Sequence, residues 1–268
     1  MVGKPVLDRD RYGPWAVIAG GSDGTGAAFA RDIAASGINL LLVARRQGPL
    51  DTLAQELRQS HGIEVRTLSL DLNAPDAAQR MADAVEGEEI GLYISNAGAE
   101  KGGHGYLGTS LETIHGLIAR NVVTVADACH IFGAPMVARG RGGIVLMGSG
   151  AGLGGQPGVA AYSGVKGFVL NLAESLWAEW RSSGVDVIGI AAPVMDTPTL
   201  RDILGEMKIP GIYEAEDVAR NALEKLQGHG PSYVYPLEPS TEEAERQSGV
   251  RRDRVLAVEK ITASLFGG

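Results

Sequence analysis

Short apolar runs alternate along the chain with longer stretches in which apolar residues recur at helical spacing. The runs are rich in Val, Ile and Leu, which is typical of strands buried on both faces of a parallel sheet. The order strand, helix, strand therefore predicts an α/β fold with helices on both faces of the sheet. The predicted strands are Trp15–Ala19, Asn39–Val43, Val65–Leu70, Ile90–Ser95, Gly143–Gly148, Val185–Ile190 and Ser232–Tyr235.

The helical stretches lie between these runs, and glycine follows several of them as a stop signal. No linker rich in Pro, Gly and Ser divides the chain, so we expect one domain over residues 1–268 with its core at 14–235. The tail Pro236–Gly249 is polar and is predicted to be mobile or to lie on a partner subunit, before a helix at Arg251–Phe266. The other predicted helices are Thr25–Ser36, Pro49–Gln59, Pro75–Glu86, Ser110–Arg139, Ala160–Arg181 and Ala215–Gln227.

Composition narrows the classes of partner and site. The chain has 268 residues, 44% of them hydrophobic, which is enough for one large core. Its formal net charge of −8 opposes binding to the phosphates of a nucleic acid. Cys129 is the only cysteine, so no disulfide forms within the chain, which fits a reducing cytoplasm. No cluster of cysteine and histidine has the spacing of a zinc site, so no metal site is predicted. We expect neither an export signal nor a membrane span.

Residues 20–26 form a glycine-rich turn, Gly-Gly-Ser-Asp-Gly-Thr-Gly, between the first predicted strand and the first predicted helix. Glycines allow a tight turn and a close approach of the backbone to a pyrophosphate. The helix that starts near Thr25 would point its free N–H groups at that anion. Because the chain has 38 glycines, a plain turn is the alternative.

Arg45 and Arg46 follow the second predicted strand, about 20 residues after the glycine turn, where dinucleotide-binding folds place an acid that binds a free ribose 2′-hydroxyl. Here the acid is missing, and two guanidinium groups fit a 2′-phosphate, so NADP is the predicted cofactor. The alternative is that both arginines are solvated surface charges.

Two further segments end predicted strands. Asp71 closes the third strand, where its carboxylate can accept a hydrogen bond from an adenine amino group. The alternative is a helix N-cap, for which Asn73 competes. Residues 96–98, Asn-Ala-Gly, end the fourth strand and would let the chain pass close to the adenosine ribose. A simple turn is again the alternative.

Tyr162 and Lys166 are four residues apart in a helical stretch, so both side chains lie on one face. Lowering the pKa of a phenol from about 10 to about 7 takes about 4 kcal/mol, which an ammonium and an oxidised nicotinamide can supply together. We therefore interpret Tyr162 as the proton donor and acceptor, with Lys166 as its electrostatic partner.

Two more polar residues complete this set. Ser149 follows the fifth predicted strand, where its hydroxyl can stabilise charge that develops on a substrate oxygen. Asn121 lies inside a long predicted helix, where it either anchors a water that carries protons to Lys166 or is an ordinary surface or back-bonding residue.

In this order, the residues resemble the short-chain dehydrogenases and reductases of the classical type, from about Pro14 to about Tyr235. The resemblance implies a Rossmann-like, doubly wound parallel sheet of about seven strands, an NAD or NADP cofactor and hydride transfer. That family's catalytic tetrad corresponds to Asn121, Ser149, Tyr162 and Lys166, and its position that contacts the nicotinamide carboxamide corresponds to Thr197. The predicted cofactor-binding residues are Gly20, Ser22, Asp23, Gly24, Thr25, Gly26, Arg45, Arg46, Asp71, Leu72, Asn96, Ala97, Gly98, Tyr162, Lys166, Pro193 and Thr197.

The chain departs from the family pattern at two positions. Ala19 replaces the Thr that usually opens the glycine motif, and Val194 replaces the Gly that commonly follows Pro193. The first change removes a hydroxyl that would hold the glycine loop. We expect the second to reshape the pocket and to leave cofactor binding intact.

The substrate side is predicted from segments that follow the later strands. Glu100–Gly108 is a glycine-rich loop that can bring His104 or Tyr106 over the substrate, although a lone loop histidine is commonly just solvated. Apolar residues at helical spacing in Thr199–Ile212 predict either a lid or packing against the body of the protein.

These observations predict an NADP-dependent oxidoreductase that transfers a hydride to or from a carbonyl or secondary alcohol of a hydrophobic, medium-to-large substrate. The family resemblance further suggests a homodimer or homotetramer. A noncatalytic NADP-binding sensor of the same fold is the alternative, and the complete tetrad argues against it. An epimerase or dehydratase is disfavoured because the chain lacks an added C-terminal substrate domain.

Overall fold

The computed structural model describes residues 5–99, 105–204, 211–228, 230–236 and 240–266 of the chain. Its centre is a seven-stranded parallel sheet in the order β3-β2-β1-β4-β5-β6-β9, so the predicted fold class is confirmed. Every predicted strand lies in this sheet. The strands are β1 Trp15–Ala19, β2 Asn39–Ala44, β3 Val65–Ser69, β4 Ile90–Ser95, β5 Gly142–Met147, β6 Val185–Ala191 and β9 Ser232–Val234, and β7 Met195–Asp196 pairs separately with β8 Tyr213–Glu214.

Helices cover both faces of the sheet because strand side chains alternate between two apolar layers. Ile18 lies in the same buried layer as residues of the helices Gly24–Ala35, Gln47–His61 and Ala215–Leu226. Its neighbour Val17 lies in the layer that includes residues of the helices Ala77–Asp83, Thr124–Arg139 and Ala160–Trp180. The helices are α1 Arg9–Tyr12, α2 Gly24–Ala35, α3 Gln47–His61, α4 Ala77–Asp83, α5 Leu111–Ile118, α6 Thr124–Arg139, α7 Ala160–Trp180, α8 Pro198–Leu204, α9 Ala215–Leu226 and α10 Thr241–Phe266.

The strand order reverses beside β1, whose two neighbours in the sheet are β2 and β4. In open α/β sheets such a reversal leaves a crevice outside the carboxyl ends of the strands, where ligands bind. The turn at residues 20–26 follows β1 and Asn96 follows β4, so both border this crevice. The topology therefore gathers at one edge of the sheet segments that the sequence separates widely.

The long helix predicted over Ser110–Arg139 is interrupted. A π-helical turn at Ala119–Val123 separates α5 from α6 and contains Asn121. The run Leu111–Arg139 is long and apolar enough to cross a membrane by length and composition alone. In this fold its Phe132 and Met136 are buried against the sheet, which accounts for part of that apolar content.

The prediction of a mobile or partner-bound tail at Pro236–Gly249 is wrong from Thr241 onward. That part belongs to α10, which packs on the edge strand β9 of the same chain. Ala244 is buried, and Ser248 Oγ accepts a hydrogen bond from the Val234 N–H at 3.0 Å. These two small residues, four apart, are the buried positions of the polar stretch 241–249, whose composition gave no sign of an inner face.

Candidate active site

The glycine loop is held by two very close backbone approaches. A Cβ on Gly26 would lie 1.8 Å from the Gly20 carbonyl oxygen, and Gly20 itself has a φ of +91°. The Asn96 amide donates to the same carbonyl at 2.9 Å, and a Cβ on Gly20 would lie 2.6 Å from the Ala97 nitrogen. The segment 96–98 is thus more than a simple turn, because it fixes the glycine loop against the end of β4.

The first turn of α2 has the donor set that a pyrophosphate needs. A helix leaves its first N–H groups without intrahelical partners, and those of α2 begin at Gly24. Asp23 occupies the N-cap position, but its side chain makes no capping hydrogen bond. These donors and the positive end of the helix dipole therefore face the crevice, which fits the phosphates of a dinucleotide.

The two arginines after β2 are both exposed. Arg46 forms an ion pair with Asp23 of the glycine loop, so its side chain lies beside that loop rather than extending into solvent alone. The Arg45 carbonyl accepts a hydrogen bond from the Ser69 hydroxyl at 3.0 Å, which ties the end of β2 to the end of β3. The backbone of both arginines therefore lies at the rim of the crevice.

Asp71 follows β3 and does not cap a helix. Its Oδ1 accepts a hydrogen bond from the Asn73 N–H at 2.9 Å, and the N-cap position of α4 is occupied by Asp76 instead. Both capping assignments for this segment, Asp71 and Asn73, are therefore wrong. The next carbonyl, that of Leu72, accepts a hydrogen bond from the Thr124 hydroxyl at 2.8 Å, which anchors the segment to α6.

Lys166 lies on α7 and is 3% exposed. Its ammonium donates to the Met147 carbonyl at 2.8 Å and lies 5.7 Å from the centre of the Tyr162 ring. Burial, helped by the nearby charge of Arg120, lowers the pKa of Lys166 to about 7. The structure thus brings Tyr162 and Lys166 together, as the four-residue spacing predicts, and places Lys166 where its charge is sensitive to small changes.

Asn121 makes the back-bonding contact that is one of its predicted alternatives, but it is not a surface residue. Its Nδ2 donates to the Leu117 carbonyl at 3.0 Å, which is helical back-bonding, and the side chain is 1% exposed. Its Oδ1 points the other way, towards Gly98. A Cβ on Gly98 would lie 2.1 Å from that oxygen and 2.9 Å from Lys166 Nζ, so the two polar groups face each other across a position that only glycine fills.

Asn121 lies in the π turn, with its Nδ2 bonded to Leu117 and its Oδ1 directed to Gly98. A π-helical turn adds a residue to the helical repeat, and such turns are frequent at functional sites. Without it, the carboxamide of Asn121 would follow the regular helical spacing of its neighbours. No feature of the sequence signals this turn.

Ser149 follows β5 and begins a short 3₁₀ turn, Gly150–Gly152. Its Oγ accepts a hydrogen bond from the Ala151 N–H at 3.2 Å. The turn is pressed against α7, since a Cβ on Gly152 would lie 2.6 Å from the backbone of Lys166. Ser163, which the sequence analysis did not identify, holds this contact: its Oγ lies 2.6 Å from the Ala151 carbonyl oxygen.

Thr197 lies over the glycine loop. Its hydroxyl accepts a hydrogen bond from the Leu200 N–H at 3.2 Å and so caps α8, while a Cβ on Gly24 would lie 3.2 Å from its methyl group. Upstream, Pro193 is half-buried and Val194 is 46% exposed. The Val194 carbonyl accepts from the Tyr213 N–H at 3.0 Å, which begins the small β7–β8 pair that sequence reasoning missed.

A pocket opens beside the Tyr162 side chain. Tyr106 lines it from the loop before α5, and Leu107 next to it is 99% exposed. The predicted loop residue His104 lies outside the described residues, as do Met207, Ile209 and Pro210 of the predicted lid. The remaining lining residues are Thr109, Leu117, Gly158, Val159, Ala160 and Ala161.

The chain is similar in sequence to known proteins. The family model for short chain dehydrogenase matches residues 14–207. A 7beta-hydroxysteroid dehydrogenase from Collinsella aerofaciens is 32% identical over 215 residues, or 80% of each chain. A very-long-chain 3-oxoacyl-CoA reductase from Neurospora crassa is 35% identical over 195 residues, which are 70% of this chain and 58% of that protein.

Solved structures give the same result. A short-chain dehydrogenase from Sphingobium yanoikuyae in complex with NADPH aligns with a TM-score of 0.78 at 29% identity. The alignment covers 90% of this chain and 94% of that one.

Proposed function

The chain belongs to the short-chain dehydrogenase family, and we propose that it is an NADP-dependent oxidoreductase acting on a carbonyl or secondary alcohol of a hydrophobic, medium-to-large substrate. The family consists of oxidoreductases that bind a nicotinamide cofactor, so the class of chemistry follows from membership. The observation that carries the catalytic assignment is the convergence of Asn121 Oδ1 and Lys166 Nζ at Gly98, one helical turn from Tyr162.

A nicotinamide held in the crevice supplies or accepts the hydride. The donors at the start of α2 would hold its pyrophosphate, Asp71 and Leu72 would border its adenine side, and Thr197 would border its nicotinamide side. The close contacts that require glycine at positions 20 and 26 fit this role, since side chains there would prevent the loop from closing. Arg45 and Arg46 support NADP over NAD, because two guanidinium groups at the end of β2 complement a 2′-phosphate.

Tyr162 donates a proton to the substrate oxygen during reduction and accepts it during oxidation. A positive charge on Lys166 stabilises the phenolate that remains, and its low pKa lets the same amine release or take up a proton near neutral pH. Asn121 Oδ1 holds a water that links Lys166 to solvent. Ser149 donates a hydrogen bond to the substrate oxygen, where charge develops.

The substrate class rests on the surroundings of this set. Tyr106, Leu117 and Val159 give the pocket apolar walls, and Leu153 on the Ser149 loop is 40% exposed. The two relatives described above carry names that specify a hydroxysteroid and a very-long-chain 3-oxoacyl-CoA, and each of these molecules has a bulky apolar part. Turnover restricted to small charged sugars or hydroxy acids would contradict this part of the proposal.

We propose that the enzyme is cytoplasmic and forms a homodimer or homotetramer. The single cysteine, Cys129, is buried and unpaired by a disulfide, which fits a reducing compartment. Exposed apolar residues on the α5 side, Leu111, Ile118 and Val123, are compatible with a subunit contact along the long helices.

A panel of ketones and alcohols, followed by nicotinamide absorbance with NADPH or NADP, tests the proposal. The Tyr162→Phe variant should lose turnover by several orders of magnitude while it still binds NADPH. A protein that binds NADPH and turns over nothing in the panel, with or without Tyr162, would favour the sensor alternative.

A further inference from the structure

The glycine loop carries an acid, Asp23, that is paired with the guanidinium of Arg46. Given the proposed NADP site, we infer that Asp23 is a specificity-determining residue that opposes the 2′-phosphate. Its carboxylate occupies one of the two guanidinium groups that this phosphate would use. Asp23 therefore limits how strongly the protein prefers NADP over NAD.

The conformation of Asp23 shows that its side chain is directed to Arg46 and not to the helix. Asp is a favoured N-cap residue because its carboxylate usually accepts a hydrogen bond from the first turn. In this chain Asp23 stands at the N-cap of α2 with an extended backbone, and no capping hydrogen bond forms. The helix therefore gains no capping hydrogen bond from the carboxylate, whose only described partner is Arg46.

The charge of Asp23 lies where the proposed cofactor would bring anions. The pyrophosphate binds at the start of α2, and a 2′-phosphate at the end of β2 adds a charge of about −1.5 to −2. An unneutralised carboxylate between them would repel both. Arg46 neutralises it, which keeps the site competent but divides one guanidinium between two anions.

The ion pair of Asp23 and Arg46 is exposed enough for Arg46 to exchange Asp23 for another anion. The side chain of Arg46 is 65% exposed and that of Asp23 is 38% exposed, so solvent screens the pair and its attraction is weak. A phosphate can thus compete for Arg46, at the cost of the contact to Asp23. Arg45, also exposed and adjacent, faces no such competition from Asp23 among the described contacts.

Dissociation constants for NADPH and NADH, measured by nicotinamide fluorescence, test the inference. Asp23→Asn keeps the side-chain size and N-cap capacity and removes the charge. It should bind NADPH about fivefold more tightly and NADH within about twofold of the parent. Asp23→Ser, a second neutral N-cap residue, should give the same selective change, and thermal unfolding of each variant checks that it is folded.

Glu56→Gln is the matched control, because Glu56 forms an exposed ion pair with Arg31 and its loss changes the net charge equally. It should leave the NADPH to NADH ratio unchanged. Equal tightening in Glu56→Gln, equal tightening for both nucleotides in Asp23→Asn, or weaker NADPH binding in Asp23→Asn would each overturn the inference. Failure of the NADP proposal is separate: the parent protein would then bind NADH as tightly as NADPH.

Discussion

The ammonium of Lys166 is hydrogen-bonded to the backbone carbonyl of Met147, at 2.8 Å. Met147 is the last residue of β5, two residues before Ser149, and Lys166 lies on α7, one turn after Tyr162. One bond therefore fixes the strand that carries the serine to the helix that carries the tyrosine. It also holds the amine of Lys166 in a site that is closed to solvent.

The buried amine makes the free energy of unfolding depend on pH. The pKa of Lys166 is lowered from 10.5 to about 7 in the folded protein, so between these values the unfolded chain binds more protons than the folded one. Stability therefore rises with pH across this window, by about 2 kcal/mol between pH 7 and pH 9. Urea unfolding of the parent should show that rise, and Lys166→Met should flatten it.

The control for this prediction is Lys225→Met. Lys225 forms an ion pair with Glu245 at the surface, so its loss removes an ammonium without touching the buried site. This variant should keep the rise with pH. A parent protein whose stability is constant from pH 7 to pH 9 would show that Lys166 is protonated in the folded state at both values.

Arg120 contributes to the low pKa of Lys166 by charge repulsion. Its guanidinium is held by the Ala99 carbonyl at 3.2 Å, on the segment that follows β4. Arg120→Met should raise the pKa of Lys166 towards its ordinary value, which narrows the pH window in which stability increases. The measurement is the same unfolding series, in which the increase should begin at a higher pH than in the parent.

Gly98 separates Asn121 from Lys166, and Gly98→Ala should disable the site. The added Cβ would lie 2.1 Å from Asn121 Oδ1, and the φ of +153° disfavours any side chain. We expect kcat to fall by about 100-fold or more, because a displacement near 1 Å in a catalytic set has that effect. Stability should also fall by about 1–3 kcal/mol.

Gly164→Ala in α7 is the matched control for that substitution. Gly164 is exposed and helical, and nothing lies within 4 Å of an added Cβ. Stability should be equal or higher by up to about 1 kcal/mol. If Gly98→Ala and Gly164→Ala lose activity to the same extent, the close approach of Asn121 to Gly98 does not account for the loss.

The sheet could be predicted from the sequence because a strand that is buried on both faces consists of consecutive apolar residues. Ile90 to Ser95 is such a run, and every residue of β4 is buried. The positions of Ser149 and Tyr162 followed from their places after β5 and in α7. What sets the geometry between them was not predictable, since contacts such as that of Ser163 with Ala151 depend on two segments meeting in space.

Other features were hidden for different physical reasons. The π turn at Asn121 changes the hydrogen-bond register without a characteristic residue type. The pair of Asp23 and Arg46 joins two charges that are individually ordinary surface residues. In both cases the local sequence is compatible with more than one conformation or partner, and the tertiary structure selects one of them.

The choice of cofactor gives a direct prediction for Arg45 and Arg46. Hydrogen bonds to a charged group contribute about 1.5–3 kcal/mol, so loss of either guanidinium should weaken NADPH binding by about 10- to 100-fold. NADH lacks the 2′-phosphate and should bind Arg45→Met about as tightly as the parent. Arg46→Met also leaves Asp23 unneutralised near the pyrophosphate, so it should weaken NADH too, but less than NADPH. Arg31→Met, which removes an exposed cation paired with Glu56, is the control. Equal losses for both nucleotides would refute the 2′-phosphate assignment.

The contact between α10 and the edge strand β9 affects only the stability of the protein. Ser248 Oγ accepts the Val234 N–H at 3.0 Å and lies 2.7 Å from the Ala244 carbonyl oxygen, so one hydroxyl joins α10 to β9. Val234 is 1% exposed, and Ser248→Ala would leave its N–H buried without that acceptor. Because an unsatisfied buried donor costs about 1–3 kcal/mol, the free energy of unfolding should fall by that amount.

Asp253→Ala distinguishes this effect from a general weakening of α10. Asp253 is exposed on the same helix, and its substitution should change stability by less than about 0.5 kcal/mol. Urea unfolding of both variants makes the comparison. If Ser248→Ala is as stable as Asp253→Ala, water reaches the Val234 amide and α10 does not close the edge of the sheet. A selective loss would show that the polar C-terminal helix is part of the folded domain, because an unanchored tail could not transmit a substitution to the stability of β9.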